Sequence, residues 1–219
     1  MIDFDRMIDN HIVREHRPKA IGKYYPSEIG NCIRKVWYSY KYPLEVKPDL
    51  AKIFEVGNIM HGFVVEVLKS ERNREVELLK SEFPLRIEGD GFIVSGRVDD
   101  LILVKESGKH WVVEVKSIKS IDAVDTPDAK HIMQLQLYMH ATGIHNGLVL
   151  YIDKTNLKCK VFPEKYSEEE AGKIMERFSQ LHTLLSQNLL PLAEAKKKED
   201  MHWMCRYCEY EEKCGKDEA

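Results

Sequence analysis

Gly96-Arg97-Val98-Asp99-Asp100 and, after one turn, Val113-Glu114-Val115-Lys116 are the stretches on which the fold turns. Residues two apart in a strand share a face, so Glu114 and Lys116 emerge together while Val113 and Val115 point the other way. Taken alone, such a pair also fits cross-strand salt bridges on a solvated sheet. A carboxylate and an ammonium beside a second acidic strand also make a chemical arrangement. Carboxylate oxygens suit Mg²⁺ or Mn²⁺, which polarise a phosphate and activate water. A lysine beside such an ion can position that water and offset charge building on the phosphate.

The surrounding pattern is extended. Residues 83–87, 91–105 and 110–117 are rich in Val, Ile, Leu and Phe, with turns at Glu88-Gly89-Asp90-Gly91 and Glu106-Ser107-Gly108-Lys109. Upstream, the spacing predicts helices over 3–16, ended by Pro18, and over 33–40. A longer one is expected over 50–79, broken near Arg72-Asn73, with Ile53, Val56, Met60, Val64 and Leu68 at helical spacing. Downstream, Thr126-Pro127-Asp128 opens a helix that runs to Thr142 and stops at Gly143. A hairpin over 147–163 follows. Ser167 with Glu170 then has capping-box form and starts a helix reaching Asn188. This order predicts an α/β fold, a central mixed sheet flanked by helices, with the cysteine-bearing ends outside the core.

The bulk numbers are consistent with that. A chain of 219 residues, 43% hydrophobic and 32% charged, suffices for one sizeable core with a small appendage. No apolar run approaches the roughly 20 residues that span a bilayer. The acidic N-terminus lacks an apolar signal core, which leads to a cytoplasmic expectation. With a net charge of −3, any polyanion must be held by local patches or by metal ions. Basic density is local, at Lys196-Lys197-Lys198 and at Arg14, Arg17 and Lys19. A narrow basic channel leading to the metal site is therefore expected, with DNA binding that weakens as salt rises.

Two further elements bear on the chemistry. Gln134 and Tyr138 stand at i and i+4 on one helical face and could hydrogen-bond a nucleic-acid backbone. His61, in Gly57-Asn58-Ile59-Met60-His61, offers a nitrogen ligand, although a lone helical histidine is more often packed or at the surface.

The cysteines are uneven. Cys205, Cys208 and Cys214 form C-x2-C-x5-C with Trp203 and Tyr210 interleaved, and Cys32 is the candidate fourth ligand from the far end of the chain. Spacing does not choose between structural zinc and an iron–sulphur cluster. Cys159 has no partner in this scheme and reads as a structural thiol in a strand.

In order, a helical histidine, G-x-x-D, E-x-K and Q-x-x-x-Y resemble the RecB-like branch of the PD-(D/E)-x-K nucleases, which have a restriction-endonuclease-like core. The resemblance implies that His61, Asp99, Glu114 and the Val115 carbonyl are metal ligands. It gives Lys116 the catalytic role, with Gln134 and Tyr138 supporting the site or holding DNA. Alternation does not separate Asp99 from Asp100, because both parities of that strand hold apolar residues; the family pattern favours Asp99.

Ser27-Glu28-Ile29-Gly30-Asn31-Cys32-Ile33-Arg34-Lys35-Val36-Trp37-Tyr38 is similar to the S-x-x-x-x-C-x-R-x-x-x-Y segment of the CRISPR-associated exonuclease family, the fourth in that system's nomenclature. That resemblance implies a [4Fe–4S] cluster on Cys32, Cys205, Cys208 and Cys214. It also implies a single nuclease domain over 1–219, with a core at about 45–190 and a cluster module made of 20–44 and 191–219. The implied activity is 5′-to-3′ exonuclease action on single-stranded DNA or DNA ends, trimming DNA before spacer integration. The implied partner is the CRISPR integrase, and self-association is left open. There is no G-x-x-x-x-G-K-[ST] phosphate loop and so no helicase motor. A stand-alone viral, plasmid or repair nuclease fits the same residues. A catalytically silent, zinc-stapled DNA-binding factor would show a broken metal site, and here every member is present.

Overall fold

The computed structural model of the chain describes residues 2–13 and 18–217. Arg14, Arg17 and the end of the first expected helix lie outside the described residues. The sheet is built from β1 (Lys23–Tyr24), β2 (Val76–Glu88), β3 (Ile93–Val104), β4 (Lys109–Ile118), β5 (Asn146–Asp153) and β6 (Cys159–Lys165). β2 runs antiparallel along the whole of β3, from Val76 opposite Val104 to Glu88 opposite Ile93. The other edge of β3 is shared: β1 lies parallel at Ile93 and Val94, and β4 antiparallel from Asp100 to Val104. β4 then pairs parallel with β5, and β5 antiparallel with β6. The expected mixed sheet is therefore present, and one edge of β3 is open between its two partners.

Helices cover both faces. On one, α3 (Pro48–Lys69) lays Met60 and Val64 against Ile102, Val113, Val115 and Ile152. On the other, α2 (Ile33–Lys41), α4 (Ala129–Thr142) and α5 (Glu168–Ser186) bury Trp37, Leu135, Leu137, Met139, Phe178 and Leu185 against Val112 and Val149. Each such side chain contributes about 1.5–3 kcal/mol by leaving water.

Helix ends follow local chemistry. Asp128 accepts the Lys130 N–H at 3.0 Å to start α4, and Gly143 ends it at φ 68°, a left-handed conformation that glycine adopts without strain. Ser167 accepts the Glu170 N–H at 3.2 Å to start α5. Asp3 caps α1 (Phe4–Ile12) in the same way, through the Arg6 N–H at 3.0 Å.

The expectation of one broken helix over 50–79 is corrected. α3 stops at Lys69, and residues from Val76 onward enter β2, where Val76 and Leu78 join the apolar layer under α3. Ile53 and Val56, which share that helical spacing, are exposed. Cys159 is also exposed, at the first position of β6, and so does not serve as a packed thiol.

The expectation that the cysteine-bearing ends lie outside the core is corrected: Ile33, Trp37 and Tyr38 of α2 and Tyr210 near the C-terminus belong to the main buried cluster, with Cys208 and Cys214 packed against it. Arg177 on α5 donates to the carbonyls of Ile29 and Asn31 at 3.1 and 2.9 Å and pairs with Glu194, which also accepts the Ile33 N–H at 2.7 Å. Arg34 reaches the Pro191 carbonyl at 2.7 Å and the Cys214 sulphur at 3.6 Å. Gly30 lies against the start of α4 so closely that a Cβ there would come 2.0 Å from Lys130 Cβ. No helix among the described residues is long and apolar enough to cross a membrane.

Candidate active site

The site forms where two strands part. Ladder pairing of β3 with β4 ends at Asp100 opposite Val113, while Glu114, Val115 and Lys116 stay paired with Val149, Leu150 and Tyr151 of β5. Val115 therefore keeps a β5 neighbour and loses its β3 neighbour. Asp99 Oδ2 takes over, accepting the Val115 N–H at 2.8 Å. A strand residue sends its N–H and C=O to the same edge, so the Val115 carbonyl faces the same opening.

The register separates the two aspartates. Asp100 aligns with Val113 on the α3 face, which places Asp99 beside Glu114 and Lys116 on the other face. Asp100 is fully buried, and its Oδ2 meets His61 Nε2 at 3.1 Å, while its Oδ1 has no hydrogen-bond partner. That bond, opposed by burial, raises the His61 pKa, and Asp99 adds to it, so the histidine also feels the charge of the neighbouring strand position.

Glu114 is fully buried. Burial pushes its carboxyl well above the ordinary range, and the Asp99 charge pushes it further. The Lys116 ammonium pairs with Oε1, yet neither Glu114 oxygen receives a well-directed hydrogen bond. Burial pulls Lys116 down, but Glu114 and Asp99 outweigh it, so the side chain is held as an ammonium. Burial likewise raises Asp99, against the pull of Lys116 and the Val115 N–H.

Gln134 and Tyr138 are buried and face this group. Gln134 Nε2 donates to Tyr138 Oη at 2.6 Å, and Lys116 Nζ donates to Gln134 Oε1 at 3.4 Å. Gln134 thus contacts Lys116 directly and Tyr138 does so through Gln134, both from buried positions.

Asp99, Glu114 and the Val115 carbonyl offer oxygens on one side of the parted strands, and His61, held by Asp100, offers a nitrogen on the other. Such a set fits a hard divalent cation. Among the described residues no three His, Cys, Asp or Glu side chains stand close enough to hold an ion as they are.

A model of PD-(D/E)XK nuclease domains matches residues 26–215. The chain belongs to the PD-(D/E)XK nuclease superfamily. Members typically use Mg²⁺ or Mn²⁺, in keeping with the donor set. No curated protein matches the chain. Among solved structures, SSO0001 is similar with a TM-score of 0.66 and 22% identity, over 95% of this chain and 94% of that one. An alkaline exonuclease from Laribacter hongkongensis matches with a TM-score of 0.57 and 13% identity, over 77% of this chain and 90% of that one. A phage-related exonuclease from Haemophilus somnus 129PT gives 0.54 and 13%, over 76% and 95%. At these identities the likeness is one of fold.

For this PD-(D/E)XK nuclease, the sequence-predicted residues are thus brought together as two adjoining groups. Asp99, Glu114, Lys116, Gln134 and Tyr138 share one side, and His61 enters from α3 through Asp100. The four cysteines Cys32, Cys205, Cys208 and Cys214 line one cavity outside the nuclease site, with Cys32 at the N-terminus of α2. Sequence reading set Asp100 aside and missed His131 and Tyr151, which flank Lys116. His131 was accessible to it, standing one helical turn before Gln134 on the same face.

Proposed function

We propose that this nuclease is a Mg²⁺- or Mn²⁺-dependent DNA exonuclease that digests single strands or ends in the 5′-to-3′ direction. The observation that carries the reading is the Asp99, Glu114 and Lys116 group at the parted strands, with Gln134 and Tyr138 locking the lysine. His61, Asp99, Glu114 and the Val115 carbonyl hold the ion, which neutralises phosphate charge and activates water when bound. Lys116 donates to a phosphate oxygen as charge builds there, and it needs no reorganisation because Glu114 and Gln134 already fix it. The exonucleases among the similar folds support the mode of attack.

The four cysteines hold a [4Fe–4S] cluster in this reading, clamping residues 20–44 to 191–219 around a core at about 45–190. Cysteines from both ends around one cavity support a soft metal centre, and the resemblance of residues 27–38 supports iron–sulphur over zinc. The same resemblance supports a part in trimming DNA for the CRISPR integrase.

Two assays test this. Oligonucleotides blocked with phosphorothioates at the 5′ or the 3′ end are digested with Mn²⁺; 5′ blocks should stop digestion, and internal cuts or 3′ polarity would overturn the direction. Anaerobically purified protein should carry about four irons with matching sulphide, lost in Cys32→Ser. One zinc per chain would overturn the cluster.

A further inference from the structure

A cleft of about 920 Å³ opens beside Lys116 and runs past the start of α4 to Trp203 in the C-terminal segment. The chemistry derived above uses only its Lys116 end. Next along it stands His131, whose ring is held by its neighbours. Tyr151 Oη accepts the Asp128 N–H at 2.9 Å and lies 2.7 Å from His131 Nδ1, which can take the phenol hydrogen. With the phenol donating in this way the ring proton sits on Nε2, which makes no hydrogen bond among the described residues. Burial and the charges of Lys116 and Lys130 lower the imidazole pKa to about 3, so the ring is neutral at ordinary pH.

At the far end Trp203 is 50% exposed, and Lys130 Nζ lies 5.6 Å from its ring centroid. Lys130 is itself held by Asp128 at 3.2 Å. The cleft is not the basic channel expected from sequence. Its lysines at 116, 130 and 198 face acids at 128 and 200, and Arg177 is spent on Glu194. Phosphate attraction alone is therefore weak here, and directed donors and stacking must carry affinity. A duplex keeps its bases stacked on each other and offers such a wall only its backbone, whereas a single strand can lay a base on an open ring.

We propose that this cleft holds one nucleotide of a single DNA strand next to the reacting phosphate, its own phosphate on His131 Nε2–H and its base stacked on Trp203. The proposal rests on the nuclease reading of the adjoining site and adds a strand preference and two binding residues to it.

Binding is measured on the full chain with a short fluorescein-labelled oligothymidylate and with its duplex, in EDTA so that no turnover intervenes. Trp203→Ala should weaken single-strand binding about tenfold, Trp203→Phe should keep most of it, and duplex binding should change little. His131→Leu should weaken single-strand binding about three- to tenfold, with His131→Gln, which keeps a donor, in between. Equal affinity in wild type and Trp203→Ala would overturn the proposal. So would a Phe variant as weak as the Ala variant, which would mark a packing effect. Wild-type cleavage of the same strand with Mn²⁺ is scored separately. Cleavage with no Trp203 dependence of binding removes the cleft assignment alone, and Trp203-dependent binding without cleavage removes the nuclease reading alone.

Discussion

Asp99 Oδ2 accepts the backbone N–H of Val115 across 2.8 Å, and in doing so bridges the gap where β3 and β4 cease to pair. In the proposed function the same carboxylate also holds the ion, and the two roles can be separated. Asp99→Asn keeps an oxygen for the Val115 N–H and should unfold in urea near the wild-type midpoint while losing Mn²⁺ affinity. Asp99→Ala should lose both, with about 1–3 kcal/mol of stability gone because a backbone donor is left unmet. Equal stability of the Ala variant would remove the structural half of this role.

Asp100 meets His61 at 3.1 Å from a fully buried position, and in the proposed function it orients that histidine toward the ion. Asp100→Asn should weaken Mn²⁺ binding about tenfold by freeing the histidine, as loss of an outer orienting carboxylate does elsewhere. Calorimetric titration beside Asp99→Asn decides the order. A larger loss in Asp100→Asn would exchange the two assignments.

The Tyr138–Gln134–Lys116 chain predicts a kinetic signature. Gln134→Leu leaves Lys116 held only by acids, and kcat should fall about 10²-fold with KM little changed, since misplacement rather than binding is at issue. Tyr138→Phe should do the same more mildly. A rise in KM with kcat intact would put these residues on the DNA instead.

Glu194 supplies a pH test of the joint between the chain ends. Burial pushes its carboxyl up, but pairing with Arg177 and the Ile33 N–H outweigh this and hold it below the usual range. A depressed folded pKa gives stability that is complete above the unfolded value of about 4.3 and is lost as pH falls through the folded one. Glu194→Gln should therefore cost about 1–3 kcal/mol at pH 7, and its deficit against wild type should shrink as the pH approaches and passes below that range. Urea midpoints over a pH series check this; a constant deficit would contradict it.

Much of this was legible in the sequence. Alternation around Val113 and Val115 put Glu114 and Lys116 on one face, and the i,i+4 spacing of Gln134 and Tyr138 put them together. The choice between Asp99 and Asp100 was not legible, because β3 buries Val94 and Val98 at one parity and Leu101 at the other. Only the alignment of Asp100 with Val113 divides them. The break near Arg72-Asn73 was legible, but the strand after it was not, because Val76 and Leu78 extend an apolar pattern that the turn at 70–75 converts from helical to alternate spacing. The His131–Tyr151 contact joins a helix to a strand 20 positions on, and no local period reports such a meeting.

The most direct test of the central claim is cleavage of end-labelled single-stranded DNA by folded protein with Mn²⁺, beside Glu114→Gln and Lys116→Ala. The account predicts cleavage by wild type that EDTA abolishes and that falls about 10²- to 10⁴-fold in each variant, with both variants still folded. Undiminished cleavage in the variants, or intact DNA after treatment with folded, metal-loaded wild type, would contradict it.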